Sequence, residues 1–136
     1  MRQDLGVGQW HARVMTRFMA EGLLDAHIVA VNQVYKSKAE TAARATRDYC
    51  GNYVTFSMPQ GSFYLWLEID ETVDWARAAE MAAQEGIFFR PGERFMGETN
   101  GRQFLRLAYS HVSEDIIERG IKKLGEILSA CARVAA

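Results

Sequence analysis

The sequence has only two cysteines, Cys50 and Cys131, and only two prolines, Pro59 and Pro91. The cysteines stand far apart and in no C-x-x-C pattern, which argues against zinc and against a disulfide framework; reduced thiols are the default. No apolar run reaches the ~18 residues that a membrane helix requires. The N-terminus also lacks the basic-then-apolar layout of a secretory signal. These absences predict a soluble, cytoplasmic chain with no membrane partner. Basic charge is not in excess either: the formal net charge is −1, which argues against a nucleic-acid partner. His11, His27 and His111 are scattered without partner spacing and read as surface or structural residues, so no metal site is expected. The composition, 49% apolar and 24% charged, is that of an ordinary globular protein. A length of 136 residues suffices for one core.

Helical periodicity fills the first third of the chain. From Gln9 to Glu21, Trp10, Val14 and Phe18 recur every fourth residue with Met15 and Met19 beside them, and Gly22 follows as a stop or kink. Leu24, Ile28, Val31, Tyr35, Ala42, Ala45 and Tyr49 then alternate steps of four and three, interrupted only by Lys38. A helix over that span is about 39 Å long, enough to connect two bodies.

From Gly51 the period changes. "NYVTFSMP" alternates, Pro59-Gln60-Gly61-Ser62 supplies turn chemistry, and "FYLWLEI" reads as a second strand pairing with the first. Asp74 is placed to cap a helix with Trp75, Ala78, Ala79 and Ala82 on one stripe, ended by Gly86. "IFFR" is a short strand stopped by Pro91-Gly92, and the loop "GERFMGETNG" leads into a fourth strand, "FLRLAYS". Ser113 is placed to cap a last helix whose buried stripe is Ile117, Ile121, Leu124, Leu128 and Cys131. The order β-β-α-β-β-α predicts an α+β domain with helices on one face of a mainly antiparallel sheet.

The fourth strand poses a chemical question. Phe104, Arg106, Ala108 and Ser110 share one face, so Arg106 stands between apolar side chains and is flanked in sequence by leucines. An arginine is almost never fully buried unpaired, so an anion must meet it. Glu68, on "LWLEI", is the internal candidate; an external carboxylate is the other.

Taken together, these segments resemble the C-terminal part of the fold-type I pyridoxal-phosphate aminotransferases, in the branch holding the aromatic and 2-aminoadipate enzymes. "GLLDAHIVAVNQVYKSKAETA" resembles that family's long interdomain helix, and "PQGSFYLWLEI" its Pro-x-Gly-Gly-x-Phe-x-Trp hairpin. "EGIFFRPGERF" is similar to its Gly-Val-x-x-x-Pro-Gly-x-x-Phe segment, and "FLRLAYS" to its Leu-Arg-Leu-x-Phe/Tyr-Ser strand. "IIERGIKKLGEIL" matches the closing helix. The resemblance implies that Arg106 binds a substrate α-carboxylate, that Gly61 lets backbone approach the substrate, and that Phe95, with Phe89, forms apolar walls. Ser62 stands where the family has its second glycine, a departure within that turn.

The resemblance also divides the chain. Residues 1–22 correspond to a remnant of the large-domain and interface region, 23–50 to the interdomain helix, and 51–136 to the small domain. It implies pyridoxal 5'-phosphate in the parent protein, an amino acid and a 2-oxo acid as substrates, and a homodimer. The family's Schiff-base lysine comes from a Ser-x-x-Lys segment of the large domain, and this sequence has no such segment. Lys36, Lys38, Lys122 and Lys123 read as solvated helix positions. The chain therefore looks like a C-terminal fragment, with no catalytic residue, cofactor or activity expected of it alone. Two other classes remain open: the ligand-sensing domain of a transcriptional regulator, and a free-standing α+β interaction module.

Overall fold

Gly22 and the prolines punctuate the chain where their backbones require it. The computed structural model describes residues 8–92, 95 and 101–133, and divides the chain into two units, Met1–Val34 and Tyr35–Ala136. In the first unit, helix α1 (Gln9–Ala20) ends at Glu21, whose N–H donates to the Arg17 carbonyl. Gly22 follows at φ 71, the left-handed conformation that glycine adopts without a Cβ penalty. Helix α2 (Leu23–Cys50) then begins; its residues to Val34 belong to the first unit and the rest to the second. No described residue of the first unit is buried, and Trp10 is 74% exposed.

The second unit carries the core. Its sheet holds β1 (Val54–Thr55), β2 (Tyr64–Ile69), β3 (Arg90–Pro91) and β4 (Gln103–Ala108) in the order β1-β2-β4-β3, every pair antiparallel. Helix α3 (Trp75–Gln84) lies between β2 and β3 in sequence, and α4 (Glu114–Cys131) closes the chain. Leu65, Leu67, Ile69 and Leu105 all point to one face of the sheet. There they join a core with Ala39, Ala42 and Ala45 of α2, Ala78 and Ala82 of α3, and the α4 stripe from Ile117 to Cys131. This is the α+β arrangement that the alternating and helical periods predict, with helices on one sheet face.

Four local expectations change. The strand expected over "IFFR" covers only Arg90–Pro91, so Ile87 to Phe89 lie outside the ladder and Pro91 within it. The first strand pairs with the second as expected but is two residues long, because Phe56 to Pro59 leave the ladder and the connection to β2 is a loop of eight residues (56–63). Ser113 occupies the N-cap position of α4, but its hydroxyl donates to the Asp115 carboxylate at 2.5 Å and accepts no helix N–H. Asp74, by contrast, does cap α3 by accepting from the Arg77 N–H at 3.2 Å. Lys38, expected in solvent, is half-buried on the apolar stripe of α2, and its ammonium donates to the Ser110 carbonyl at 2.9 Å. An apolar stem on a helix stripe with a charged tip finding a carbonyl is the ordinary compromise for lysine. Most of the loop 92–101 lies outside the described residues.

Two contacts limit what the unit tolerates. Helices α2 and α4 touch at Gly125, where an added Cβ would stand 2.2 Å from the Tyr49 carbonyl oxygen. Gly125→Ala should therefore destabilise the unit by about 1–3 kcal/mol in spite of alanine's better helix propensity, read as a lower urea midpoint. The second contact is at Ser62, which stands at φ 153, where a side chain is strained. It is held there because Tyr109 Oη donates to its carbonyl at 2.6 Å and the Tyr64 N–H donates to its Oγ at 3.1 Å. Ser62→Gly should raise the urea midpoint by the equivalent of ~1 kcal/mol, the strain relieved exceeding the flexibility and hydrogen bond given up.

Candidate functional site

The sheet face opposite the core carries Tyr64, Trp66 and Glu68 from β2, Phe104, Arg106 and Ala108 from β4, and Arg90 from β3. The period of two puts these residues together, and the register fixes which ones meet. Arg106 opposes Trp66 on one side and Arg90 on the other. Aromatic rings floor the face: Trp66 stacks on Phe104 at 5.8 Å and meets Phe95 edge-on at 6.2 Å.

Arg106 is half-buried among these rings. Its guanidinium carbon lies 4.1 Å from the Tyr64 ring centroid and 3.9 Å from that of Phe95. Two such cation–π contacts are worth roughly 0.5–2 kcal/mol each and hold the fork in place. They leave its N–H groups free. Arg106 Nε is buried with no hydrogen-bond partner among the described residues.

Glu68 does not satisfy it. Arg102 takes that carboxylate in a two-pronged pair, Nε donating to Oε1 at 2.5 Å and Nη2 to Oε2. The hydrogen bond from Arg102 holds the Glu68 carboxyl below the usual carboxylate range, against a smaller opposing effect of desolvation. Glu68 is thus ionised and engaged elsewhere. Arg102 in turn leans over the Phe104 ring at 5.1 Å.

Beside Arg106 opens a shallow groove of about 520 Å³ lined by Tyr64, Phe88, Phe89, Arg90, Pro91, Arg106 and Ala108. None of these residues is acidic. Phe89 forms part of the wall and stacks on Trp75 at 4.8 Å. Gly92, after Pro91, lets β3 close on β4: a Cβ there would stand 2.4 Å from Cβ of Phe104. Of the residues singled out in the sequence, Arg106 and Phe95 therefore meet directly. Gly61 does not line the groove, and nothing in the chain lies within 4 Å of where its Cβ would be. Tyr109 anchors the turn that holds Gly61 through its bond to Ser62, and burial pushes its phenol above the ordinary tyrosine value.

Tyr64 and Arg90 escaped the sequence reading. Tyr64 was legible in principle, since it precedes Trp66 by two in the same strand. Arg90 was not, because only the strand order shows that β3 pairs with β4.

Arg90 and Arg106 give the groove a lining that suits a small anion. None of the four lysines, Lys36, Lys38, Lys122 and Lys123, lines the groove. Among the described residues no cluster of His, Cys, Asp and Glu is placed to bind a metal, and no helix is long and apolar enough to cross a membrane. Cys50 is sealed beneath α4, and burial pushes its thiol up to about 12, so it offers no nucleophile.

No family model matches the chain. Aromatic-amino-acid aminotransferase 1 of Thermococcus litoralis is 26% identical over 125 residues, which is 92% of this chain and 30% of that protein. The uncharacterized HTH-type transcriptional regulator YisV of Bacillus subtilis is 27% identical over 121 residues, 89% of this chain and 24% of that protein. The crystal structure of the Pyrococcus horikoshii kynurenine aminotransferase superposes with a TM-score of 0.78 at 26% identity, covering 87% of this chain and 29% of that one. The chain thus spans less than a third of the length of these relatives. In sequence and in fold the chain is similar to part of these proteins, in keeping with its resemblance to the C-terminal domain of the fold-type I pyridoxal-phosphate aminotransferases.

Proposed function

We propose that this chain is the carboxylate-binding part of a pyridoxal-phosphate-dependent aminotransferase, which moves an amino group between an amino acid and a 2-oxo acid. The observation that carries this reading is Arg106: a guanidinium fixed by two aromatic rings, its Nε buried without a partner among the described residues, beside a groove whose described lining holds no acid. A planar fork held in that way fits a carboxylate bidentately, as a lysine does not. Fixing the carboxylate fixes which bond of the adjacent carbon faces the reacting centre, and so orients the proton to be moved. Phe95 serves as an apolar wall and Gly61 as the point where backbone comes near the substrate. The cofactor, when bound to the parent, withdraws electrons from the carbon bearing the amino group. The residues of this chain do not fit it, for none of its lysines faces the groove.

In this reading residues 51–136 are the small domain, 23–50 the helix joining it to the large one, and 1–22 belong with the large domain and subunit interface of a homodimer. The exposure of Trp10, Val14, Met15 and Met19 supports that last assignment, since apolar faces of this kind mark association surfaces. A second reading is favoured by the HTH-type regulators among the relatives, one of which, YdfD of Bacillus subtilis, matches 97% of this chain. There the same groove would sense an amino acid for an attached DNA-binding segment. A reading frame carrying both a Ser-x-x-Lys segment and a helix-turn-helix segment marks the regulator; the lysine segment alone marks the enzyme.

The chain by itself should show no Schiff-base absorbance with pyridoxal phosphate; a stoichiometric band lost on one Lys→Ala change would contradict this. In the full protein, Arg106→Ala should lower kcat/KM for amino acids by roughly one to two orders of magnitude, the loss of a charge-assisted pair. In the chain alone the same change should move the unfolding free energy by less than ~1 kcal/mol, because the lost ring contacts are offset by removing an unpartnered N–H. Unchanged kinetics together with a large loss of stability would make Arg106 a structural residue.

A further inference from the structure

The segment that follows the arginine strand also fixes the loop that enters β2. Tyr109 comes directly after β4, is 1% exposed and belongs to the core. Its N–H donates to the Phe63 carbonyl at 3.2 Å, and its hydroxyl donates to the Ser62 carbonyl at 2.6 Å. Among the described residues that carbonyl is the hydroxyl's one partner. Phenylalanine would fill the core position equally well, so the hydroxyl serves the bond. Burial pushes the phenol above the ordinary tyrosine value, which keeps it a donor at neutral pH.

Ser62 needs that support. Among the described residues it is the one non-glycine with a positive φ, 153, and such a conformation is strained. A second bond steadies it, the Tyr64 N–H donating to its Oγ at 3.1 Å. Tyr64 begins β2 and pairs with Ala108 at the last position of the ladder, where strands open most easily. Strand β1 gives no cover there, since its pairing reaches only Glu68 and Ile69. Yet Tyr64 supplies one of the two rings that clamp Arg106, the other being Phe95 from a separate segment. Ser62 thus joins the buried hydroxyl to the residue whose ring holds the guanidinium.

We propose that Tyr109 is a positioning residue of the carboxylate site: by holding Ser62 in its strained conformation, it fixes the end of β2 and keeps the Tyr64 ring against the Arg106 guanidinium. The inference rests on the carboxylate role of Arg106 proposed above, and adds to it the group that sets the geometry of the fork. Tyr109 does not line the groove and touches no ligand, so it acts only through its neighbours. Without the hydroxyl, Ser62 keeps only the Tyr64 bond against its strain. The end of β2 then loosens, the Tyr64 ring leaves the guanidinium for part of the time, and the fork has to be ordered when an anion binds.

The test uses the full 136-residue chain and the variant Tyr109→Phe, which keeps the core volume. Ile121→Val, one methylene removed from the buried stripe of α4, serves as a control that weakens the fold elsewhere. Two quantities are followed: the Arg106 Nε–Hε resonance, displaced by the currents of the two rings, and the affinity for valerate, a single carboxylate on an apolar tail. Both variants should unfold at a lower urea concentration than the parent. Only Tyr109→Phe should move the Arg106 resonance toward those of the exposed arginines, and it should weaken valerate binding about threefold. In a Tyr64→Leu background, where the ring is gone, Tyr109→Phe should weaken valerate no further, because its effect passes through Tyr64. An Arg106 resonance unmoved by Tyr109→Phe, or moved equally by Ile121→Val, would overturn the proposal, as would additive losses in the double variant. Failure of the underlying Arg106 reading looks different: valerate binding would then be insensitive to Arg106→Gln, while Tyr109→Phe would still move the resonance.

Discussion

An arginine in the middle of a β-strand has to be compensated, and the way this sheet does so organises everything around it. The helices take one face for the core, with Leu65, Leu67, Ile69 and Leu105 turned toward them. Arg106, one residue along from Leu105, is turned by the strand period to the other face. There the chain provides rings instead of carboxylates. Cation–π contact tolerates the charge without consuming the N–H donors, so the guanidinium is positioned and still able to bind. Had Glu68 met it, the fork would be filled and the face would be merely structural. The pairing of Glu68 with Arg102 is what keeps Arg106 available.

That arrangement also explains which parts of the molecule could be read from residues alone. The α4 stripe and the facing of Phe104, Leu105, Arg106 and Leu107 follow from periods of 3.6 and 2 and hold in the structure. Lys38 interrupted an otherwise apolar rhythm, a sign of its half-buried place that was visible but read as solvation. The short β1 was not legible: alternation in "NYVTFSMP" says nothing of where the ladder stops. Nor was the partner of Glu68. Arg102 and Arg106 share its face and stand two residues to either side of Phe104, its partner across the ladder, and Arg106 is taken up by the Tyr64 and Phe95 rings. Sequence periodicity assigns faces, whereas neighbours across a sheet depend on strand order, which long connections leave open.

The turn before β2 shows the same division. A glycine-rich turn was expected near the site, and Ser62 at φ 153 occupies a backbone conformation that suits glycine. The strain is sustained by Tyr109, a buried residue of the segment that follows β4, whose hydroxyl fixes the Ser62 carbonyl. The strand bearing Arg106 and the turn bearing Gly61 are therefore tied by one side chain. A tyrosine three residues beyond Arg106 transmits the position of one element to the other.

Charge supplies the last step. Surface ion pairs add little stability individually, yet here their distribution is informative. Arg44 pairs with Glu118 between α2 and α4, and Arg102 with Glu68 across β2 and β4. Glu85 and Glu126 both stand beside Lys123. On the ring-lined sheet face Arg90 and Arg106 stand opposed in register. Two uncompensated cations cost least when solvent reaches them and most when a second body closes over them. Left on a face that solvent reaches, the two charges repel each other least, and an anion beside them removes that repulsion.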